Sequence, residues 1–218
     1  MIINGKSLLK AAPIIDMVDK KIQTEPCSWG LTECGYDIRI KQDIMFTPQK
    51  DGNMLVSIME PEERNKMFET NFILASSIEE FKMPNNLMGQ VLNKSTWARQ
   101  GLDASMTTNI EPGWFGWLTL ELTYHGSKKL HIPAGSGIAQ VMFHEIKEPR
   151  SYQGKYQNQA DQPVKAETGP VCIMDQNGVY PERLDPFVQQ QCNHIWELLY
   201  DSGLYKCLSC GNERSKKP

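Results

Sequence analysis

A lysine, a hydroxyl, an arginine and a carboxylate lie within 28 residues of one another near the middle of the chain. Lys94, Ser95 and Arg99 come first, and Glu121 follows after a Pro-Gly turn that lets the two halves fold back towards each other. Cationic side chains suit an anionic substrate, and a carboxylate suits proton transfer to and from water. The spacing therefore indicates an anionic substrate that is attacked by water.

The composition predicts one sizeable globular domain with a small appendage. The chain has 218 residues, of which 40% are hydrophobic and 22% charged, and its net charge is -3. This charge argues against nucleic-acid binding by the main domain, although a few converging cations would still hold a triphosphate. No run of about 18 apolar residues and no signal-peptide pattern is present, so we expect a cytoplasmic protein without a membrane partner and with mostly reduced cysteines.

Apolar and polar residues alternate in several short segments, which is the period of a strand. Residues 36–40 alternate clearly, and turn residues separate further predicted strands at 44–47, 54–58, 71–75 and 88–92. Residues 130–132 and 138–143 flank a Pro-Ala-Gly turn and predict one more hairpin-like pair. The chain is therefore predicted to be all-β, with strands separated by turns as in sandwiches and barrels.

Two short helical turns and one long strand should position the chemical groups. Ser7 is the predicted N-cap of a first helix that Pro13 limits, and Ser95 is the predicted N-cap of a turn that Gly101 ends. In residues 117–124 every second residue is apolar, and Glu121 belongs to the other set. Glu121 should therefore face away from the apolar layer, towards solvent, a pocket or a subunit interface.

The ordered motifs resemble those of the dCTP deaminase family, in the trimeric dUTPase-like superfamily. In chain order they are Tyr-Asp-Ile-Arg at 36–39, Lys-Ser-Thr-Trp-Ala-Arg at 94–99, Glu-Pro-Gly-Trp-Phe-Gly at 111–116, Leu-Glu at 120–121, Gly-Ile-Ala-Gln-Val-Met-Phe at 137–143, and Lys-Tyr-Gln-Asn-Gln at 155–159. The resemblance implies a distorted jelly-roll of the β-clip type with a few short helices. It also implies a homotrimer whose subunits share active sites, and it leaves pairing of trimers into hexamers open.

The resemblance further implies hydrolytic deamination of dCTP to dUTP and ammonia, with no metal on the base and Mg²⁺ carried by the triphosphate. Glu121 would act as general base and then general acid, while Arg99 and Ser95 would hold the nucleotide and the attacking water. The expected substrate-binding residues are Lys94, Thr96, Thr107, Glu111, Tyr152, Lys155 and Gln159. The last three belong to a segment that closes over the nucleotide in the family. Each residue also has a structural interpretation, as a cap, a packing group or a surface side chain.

Two departures from the family pattern leave the substrate form open. Glu111 stands where an aspartate usually contacts the sugar, and Thr107 stands where a small alanine is common. The substrate could therefore be dCTP, dCMP or a modified cytosine nucleotide. The alternative functions are a dUTPase, a bifunctional deaminase-diphosphatase, or a catalytically silent nucleotide-binding protein. The Gly-rich C-terminal motif of trimeric dUTPases is not found, which favours the deaminase.

Cysteine and histidine spacing at the C-terminus predicts a structural Zn²⁺ site that resembles a zinc ribbon. Its predicted ligands are Cys192, His194, Cys207 and Cys210. Four protein ligands would close the tetrahedral site and leave no position for a catalytic water. Reduced surface thiols beside a histidine are the alternative. The predicted organisation is a catalytic domain at 1–160, an extended arm at 161–191 and a zinc module at 192–218, for which nucleic-acid binding stays open.

Overall fold

The computed structural model describes residues 1–59, 66–107 and 109–167, together with three short strands nearer the C-terminus. The chain divides into two compact units, Met1–Lys165 and Ala166–Pro218. In the described part of the chain, no helix is both long and apolar enough to span a bilayer.

The described residues of the first unit are mostly β-strand, with two short helices. The helices are α1 (Gly5–Ala11) and α2 (Ser95–Ala98). The strands are β1 (Ile2–Ile3), β2 (Lys21–Ile22), β3 (Trp29–Leu31), β4 (Tyr36–Arg39), β5 (Asp43–Pro48), β6 (Met54–Met59), β7 (Lys66–Glu69), β8 (Phe72–Lys82), β9 (Leu87–Asn93), β10 (Leu102–Asp103), β11 (Asn109–Ile110), β12 (Phe115–Tyr124), β13 (Leu130–Ile132) and β14 (Gly137–Glu145). The predicted all-β class is confirmed at this level.

These strands form three sheets whose ladders are antiparallel. The largest has the order β11-β9-β14-β4-β3-β2, with β1 also paired to β14. A second sheet has the order β10-β12-β8, and a third has the order β13-β5-β6-β7. The carboxylate singled out above therefore lies on β12, the central strand of the second sheet.

The burial pattern of β12 follows its sequence alternation. Leu118, Leu120, Leu122 and Tyr124 are buried, whereas Glu121 and its neighbours on the same face up to Trp117 are half-buried. Successive side chains of a strand point to opposite faces, so the apolar set packs into the core and the other set remains accessible. The predicted orientation of Glu121, away from the apolar layer, is confirmed.

Both predicted N-caps are wrong by one or more positions. The first helix begins at Gly5, with Asn4 as its N-cap, and Ser7 lies inside it. The Asn4 carbonyl accepts the first helical bond from Leu8, whose side chain is fully buried, so core packing fixes the start. Ser95 is likewise the first helical residue of α2, and Lys94 is the N-cap. Gly101 follows α2 with φ +94°, which agrees with its predicted role as a stop.

The hairpin predicted for residues 130–143 does not form. β13 pairs with β5, whereas β14 pairs with β4 and β9. The intervening turn binds the end of β4 instead, because Gly135 N–H donates to the Ile40 carbonyl over 2.8 Å and Ile40 N–H donates to the Ser136 carbonyl over 3.0 Å. This turn therefore carries the chain from the third sheet to the first.

In the second unit the described residues form a three-stranded antiparallel sheet. Its strands are β15 (Trp196–Leu199), β16 (Leu204–Cys207) and β17 (Glu213–Arg214). The first two form the hairpin that the spacing between His194 and Cys207 allows. The predicted zinc ligands Cys192, His194 and Cys210 lie outside the described residues, and Cys207 is described only as the last residue of β16.

Candidate active site

Glu121 is a half-buried carboxyl group to which no described residue of the chain bonds. It lies on β12 opposite Leu74 of β8. Its backbone N–H donates to Thr107 Oγ1 over 2.6 Å, but no side chain or backbone group in the described part of the chain bonds its carboxylate. Burial raises the pKa of the Glu121 carboxyl above its usual range. A carboxyl group with a raised pKa can take up and release a proton nearer neutral pH, as a general acid or base must.

The α2 turn exposes polar side chains and is anchored to the core by a buried tryptophan. Ser95, Thr96 and Arg99 are exposed, whereas Trp97 is buried. The Trp97 indole N–H donates to the Gly137 carbonyl at the start of β14 over 2.6 Å. Because this bond and the packing of Trp97 hold α2, a hydroxyl pair and a guanidinium are available for an anionic ligand.

Lys94, directly before α2, forms a part-buried ion pair with Asp37 of β4. The two side chains are 11% and 3% exposed. An ammonium group has three N–H donors, so the pair with Asp37 leaves donors for another oxygen ligand. Asp37 thus fixes where Lys94 points.

Arg39 of β4 has a different partner from Asp37. Arg39 Nε lies 2.8 Å from Glu79 Oε1, and its guanidinium lies 3.7 Å above the Trp29 ring. Residues two positions apart share a face of a strand but are about 7 Å apart along it, which favours partners on neighbouring elements. Burial raises the pKa of Glu79, and its bonds to Arg39 act in the opposite direction.

Residues 152–165, here called the C-terminal segment, lie along β12 and the turn before it. Tyr152 N–H donates to the Pro112 carbonyl over 2.8 Å, and the Trp114 indole N–H donates to the Tyr156 carbonyl over 2.6 Å. Lys155 is exposed, with its ammonium 4.9 Å from the centre of the Tyr156 ring. The segment is therefore joined to the strand that carries Glu121.

Thr119 holds the middle of the C-terminal segment. Its hydroxyl donates to Gln159 Oε1 and accepts the Val164 N–H, each over 3.0 Å. Gln159 also bridges to Gly116, where an added Cβ would lie 2.6 Å from the Gln159 backbone nitrogen. Thr119 and Glu121 share one face of β12, so the segment is seated beside the carboxyl group. Sequence reasoning missed Thr119, although its spacing of two from Glu121 was a usable signal.

A hydrogen-bonded clasp joins the start of α2 to the loop beside Glu121. We call it the Asn93–Asp103 clasp. Asn93 Nδ2 donates to Asp103 Oδ1 over 3.0 Å, and Asn93 Oδ1 accepts the Ala104 N–H over 2.6 Å. Ser105 donates to Asp103 through both its N–H and its hydroxyl, and these bonds lower the pKa of Asp103. The clasp shapes the loop that presents Thr107.

Within one chain the structure brings together only part of the predicted set. The Thr107 hydroxyl bonds the Glu121 backbone, and Gln159 bonds Thr119, which is two residues from Glu121. Glu111 is exposed on the turn that Tyr152 contacts. Among the described residues, no hydrogen bond or ion pair joins Ser95, Thr96 or Arg99 to Glu121. An open cleft of about 590 Å³ lies past the end of β12, lined by residues that include Asn71 and His125 but not Glu121. The described residues gather no cluster of three or more His, Cys, Asp or Glu suited to a metal ion.

Comparison with known proteins defines the class to which this fold and site belong. A family model described as dCTP deaminase-like matches residues 8–146, and the chain belongs to this family. This confirms the family that the ordered motifs indicated. The match includes α2, the Thr107 loop and Glu121.

Several similar proteins carry a particular name within this class, dCTP deaminase. The protein of that name from Protochlamydia amoebophila (strain UWE25) is 34% identical over 177 residues, which are 69% of this chain and 89% of the relative. The one from Helicobacter pylori (strain Shi470) is 32% identical over 169 residues, which are 71% of this chain and 89% of the relative. A solved structure of native EIAV dUTPase is similar over 67% of this chain and 95% of its own, at 18% identity and a TM-score of 0.40.

Proposed function

We propose that this protein deaminates dCTP hydrolytically, giving dUTP and ammonia. Membership of the dCTP deaminase-like family and the name shared by its relatives support the reaction. The single structural observation that carries the proposal is Glu121, a half-buried carboxyl group with a raised pKa and no partner in the described part of the chain. Such a group suits a reaction in which protons are moved from water to a leaving amine.

In the proposed mechanism, water attacks C4 of the cytosine ring and Glu121 takes a proton from it. The C4–O bond forms, and the proton is passed to the ring nitrogen. Glu121 then moves the proton of the new C4 hydroxyl to the amine, the C4–N bond breaks as the C4=O double bond forms, and ammonia leaves. Arg99 is always charged and would stabilise the developing negative charge, while Ser95 would hold the attacking water in line.

We also propose that neighbouring subunits share each active site in a homotrimer with a jelly-roll of the dUTPase type. This is supported by the lack of any described bond from α2 to Glu121 within one chain, although both lie in the same family match. Ser95, Thr96 and Arg99 of one subunit would then face Glu121 of the next. Mass measurement in solution tests the assembly, and a monomer that remains active would contradict it.

The substrate's triphosphate, with the Mg²⁺ that it carries, would bind the remaining cationic and amide groups. Gln159 Oε1 is already used by Thr119, so its amide N–H groups are left to donate to phosphate oxygens. Lys94 and Lys155 would add charge. Thr96, Glu111 and Tyr152 complete the proposed substrate-binding set, whereas the buried Thr107 hydroxyl is already bonded to the Glu121 backbone.

The C-terminal zinc site remains a proposal from sequence. Cys192, His194, Cys207 and Cys210 have the ligand types and spacing of a closed structural site. Elemental analysis of metal-replete protein should find about one zinc per chain. The absence of zinc, or no change in stability on chelation, would contradict it.

The test of the proposed activity measures ammonia and nucleotide products from dCTP, dCMP and dUTP in the presence of Mg²⁺. Ammonia and dUTP from dCTP are expected. Pyrophosphate and dUMP from dUTP would support a dUTPase or a bifunctional enzyme, and tight binding without turnover would support a silent nucleotide-binding protein.

Glu121→Gln tests the assigned catalytic residue directly. The variant should bind dCTP and release almost no ammonia, because the amide cannot carry the proton. Glu145→Gln is a matched control, since Glu145 is an exposed strand carboxylate at the end of β14. Near-normal turnover by Glu121→Gln would remove Glu121 from its proposed role.

A further inference from the structure

Among the described residues, no strand pairs with the outer edge of β12 where Glu121 lies. β10 pairs with β12 only through Leu102 opposite Tyr124 and Asp103 opposite Thr123. Continuing that register would put Ser105 opposite Glu121. The chain turns away instead, because Ser105 bonds back to Asp103 and Thr107 N–H donates to the Ala104 carbonyl over 3.2 Å. The Glu121 N–H therefore has no carbonyl acceptor on a neighbouring strand and must donate to another group.

Thr107 supplies that acceptor with its side chain. Its Oγ1 lies 2.6 Å from the Glu121 nitrogen, and the residue is only 6% exposed. Because water has little access there, no solvent molecule would readily replace the hydroxyl if it were removed. No group in the described part of the chain accepts the hydroxyl proton of Thr107. One side chain thus fixes the backbone at Glu121.

We infer that Thr107 is a positioning residue for the deamination: its hydroxyl holds the Glu121 backbone so that the carboxyl group stays in line with the reacting water. This inference rests on the role proposed for Glu121. Catalytic groups need placement to within a fraction of an ångström, and a misplacement of about 1 Å can reduce turnover about a hundredfold.

The Asn93–Asp103 clasp gives Thr107 its own support. Asn93 immediately precedes Lys94, and its bonds to Asp103 and Ala104 shape the turn that leads to Thr107. A continuous path of hydrogen bonds therefore runs from the start of α2 to the Glu121 backbone. These bonds hold the Thr107 hydroxyl in one position, whereas a residue that only packed against its neighbours would not need them.

The test compares Thr107→Val, which keeps the shape and loses the acceptor, with Thr107→Ser, which keeps the acceptor. Thr107→Val should lower kcat about tenfold to a hundredfold with little change in KM, because alignment rather than binding is lost. Thr107→Ser should stay close to wild type. The Glu121 amide should also exchange with solvent deuterium faster in Thr107→Val.

Thr32→Val is the matched control. Thr32 is also buried, and its Oγ1 accepts the Gly35 N–H over 3.1 Å in the turn before β4. This variant should lose stability and keep wild-type kcat. Wild-type kcat in Thr107→Val, an equal loss in Thr107→Ser, or unchanged exchange of the Glu121 amide would overturn the inference. If the wild-type protein releases no ammonia from dCTP, the proposed function itself is refuted. That measurement needs no variant, so the two failures can be told apart.

Discussion

Thr119→Val would weaken the docking of the C-terminal segment on β12 by removing one hydroxyl. That hydroxyl donates to Gln159 and accepts from Val164, each over 3.0 Å, and valine can do neither. A neutral hydrogen bond contributes about 0.5–1.5 kcal/mol net, so the two together stabilise docking by about 1–3 kcal/mol. Since every 1.4 kcal/mol is about tenfold, the undocked population should rise about 5-fold to 150-fold.

Hydrogen exchange followed by mass spectrometry measures this population directly. Peptides covering residues 152–165 should exchange faster in Thr119→Val, while peptides from β14 should not change. Thr123→Val is the matched control, because Thr123 lies on the same face of β12 and its hydroxyl bonds Met106 Sδ at 3.2 Å. Wild-type exchange of the segment in Thr119→Val, or equal acceleration in Thr123→Val, would refute the reasoning.

Three further predictions concern Gly116, Glu121 and Asp37. Gly116→Ala should speed exchange of the same C-terminal peptides, since the new Cβ would meet Gln159 at 2.6 Å and φ is +131° there, and unchanged exchange would count against it. Glu121→Gln should raise the melting temperature, with a gain that grows above about pH 4.3. Because the pKa of Glu121 is raised in the folded state, the wild-type protein is favoured while this carboxyl group is protonated, below the unfolded pKa. That advantage is lost as pH rises through the folded pKa, whereas glutamine does not ionise. A pH-independent difference in a thermal titration would contradict this. Asp37→Ala should cost up to about 3–5 kcal/mol in urea unfolding, because it leaves Lys94, whose side chain is only 11% exposed, without its partner. A cost below that of a typical exposed pair, about 1 kcal/mol, would contradict this.

Local patterns in the sequence predicted the faces of strands well. The alternation in β12 placed Glu121 opposite the buried leucines, because the period of two depends only on neighbouring residues. The motifs around α2 and Glu121 were sufficient to indicate the family. Both inferences use short stretches whose meaning does not depend on the rest of the chain.

Strand partners could not be predicted in the same way. Residues 130–143 have a turn between two apolar runs, yet each run pairs elsewhere, because backbone groups of β4 and β5 are available to them in the folded chain. The first helix likewise starts where Leu8 can be buried and not at the best capping residue. Tertiary packing overrides local preference in both cases.

The contacts that hold the candidate site residues in position could not be predicted from the sequence. The Asn93–Asp103 clasp and the Thr107 contact with Glu121 join residues that lie apart in the chain, and each depends on how a loop turns. The ion pair of Lys94 with Asp37 joins residues 57 apart. A motif can therefore name a reactive residue without identifying what aligns it.

The indole of Trp114 provides an intrinsic optical reporter of the C-terminal segment. It is 5% exposed, and its N–H is bound to the Tyr156 carbonyl over 2.6 Å. When the segment leaves, water would reach this indole, and the emission of Trp114, one of five tryptophans in the chain, would shift to longer wavelength. Opening and closing could then be followed in real time by stopped-flow mixing with nucleotide, without attaching a dye to the protein.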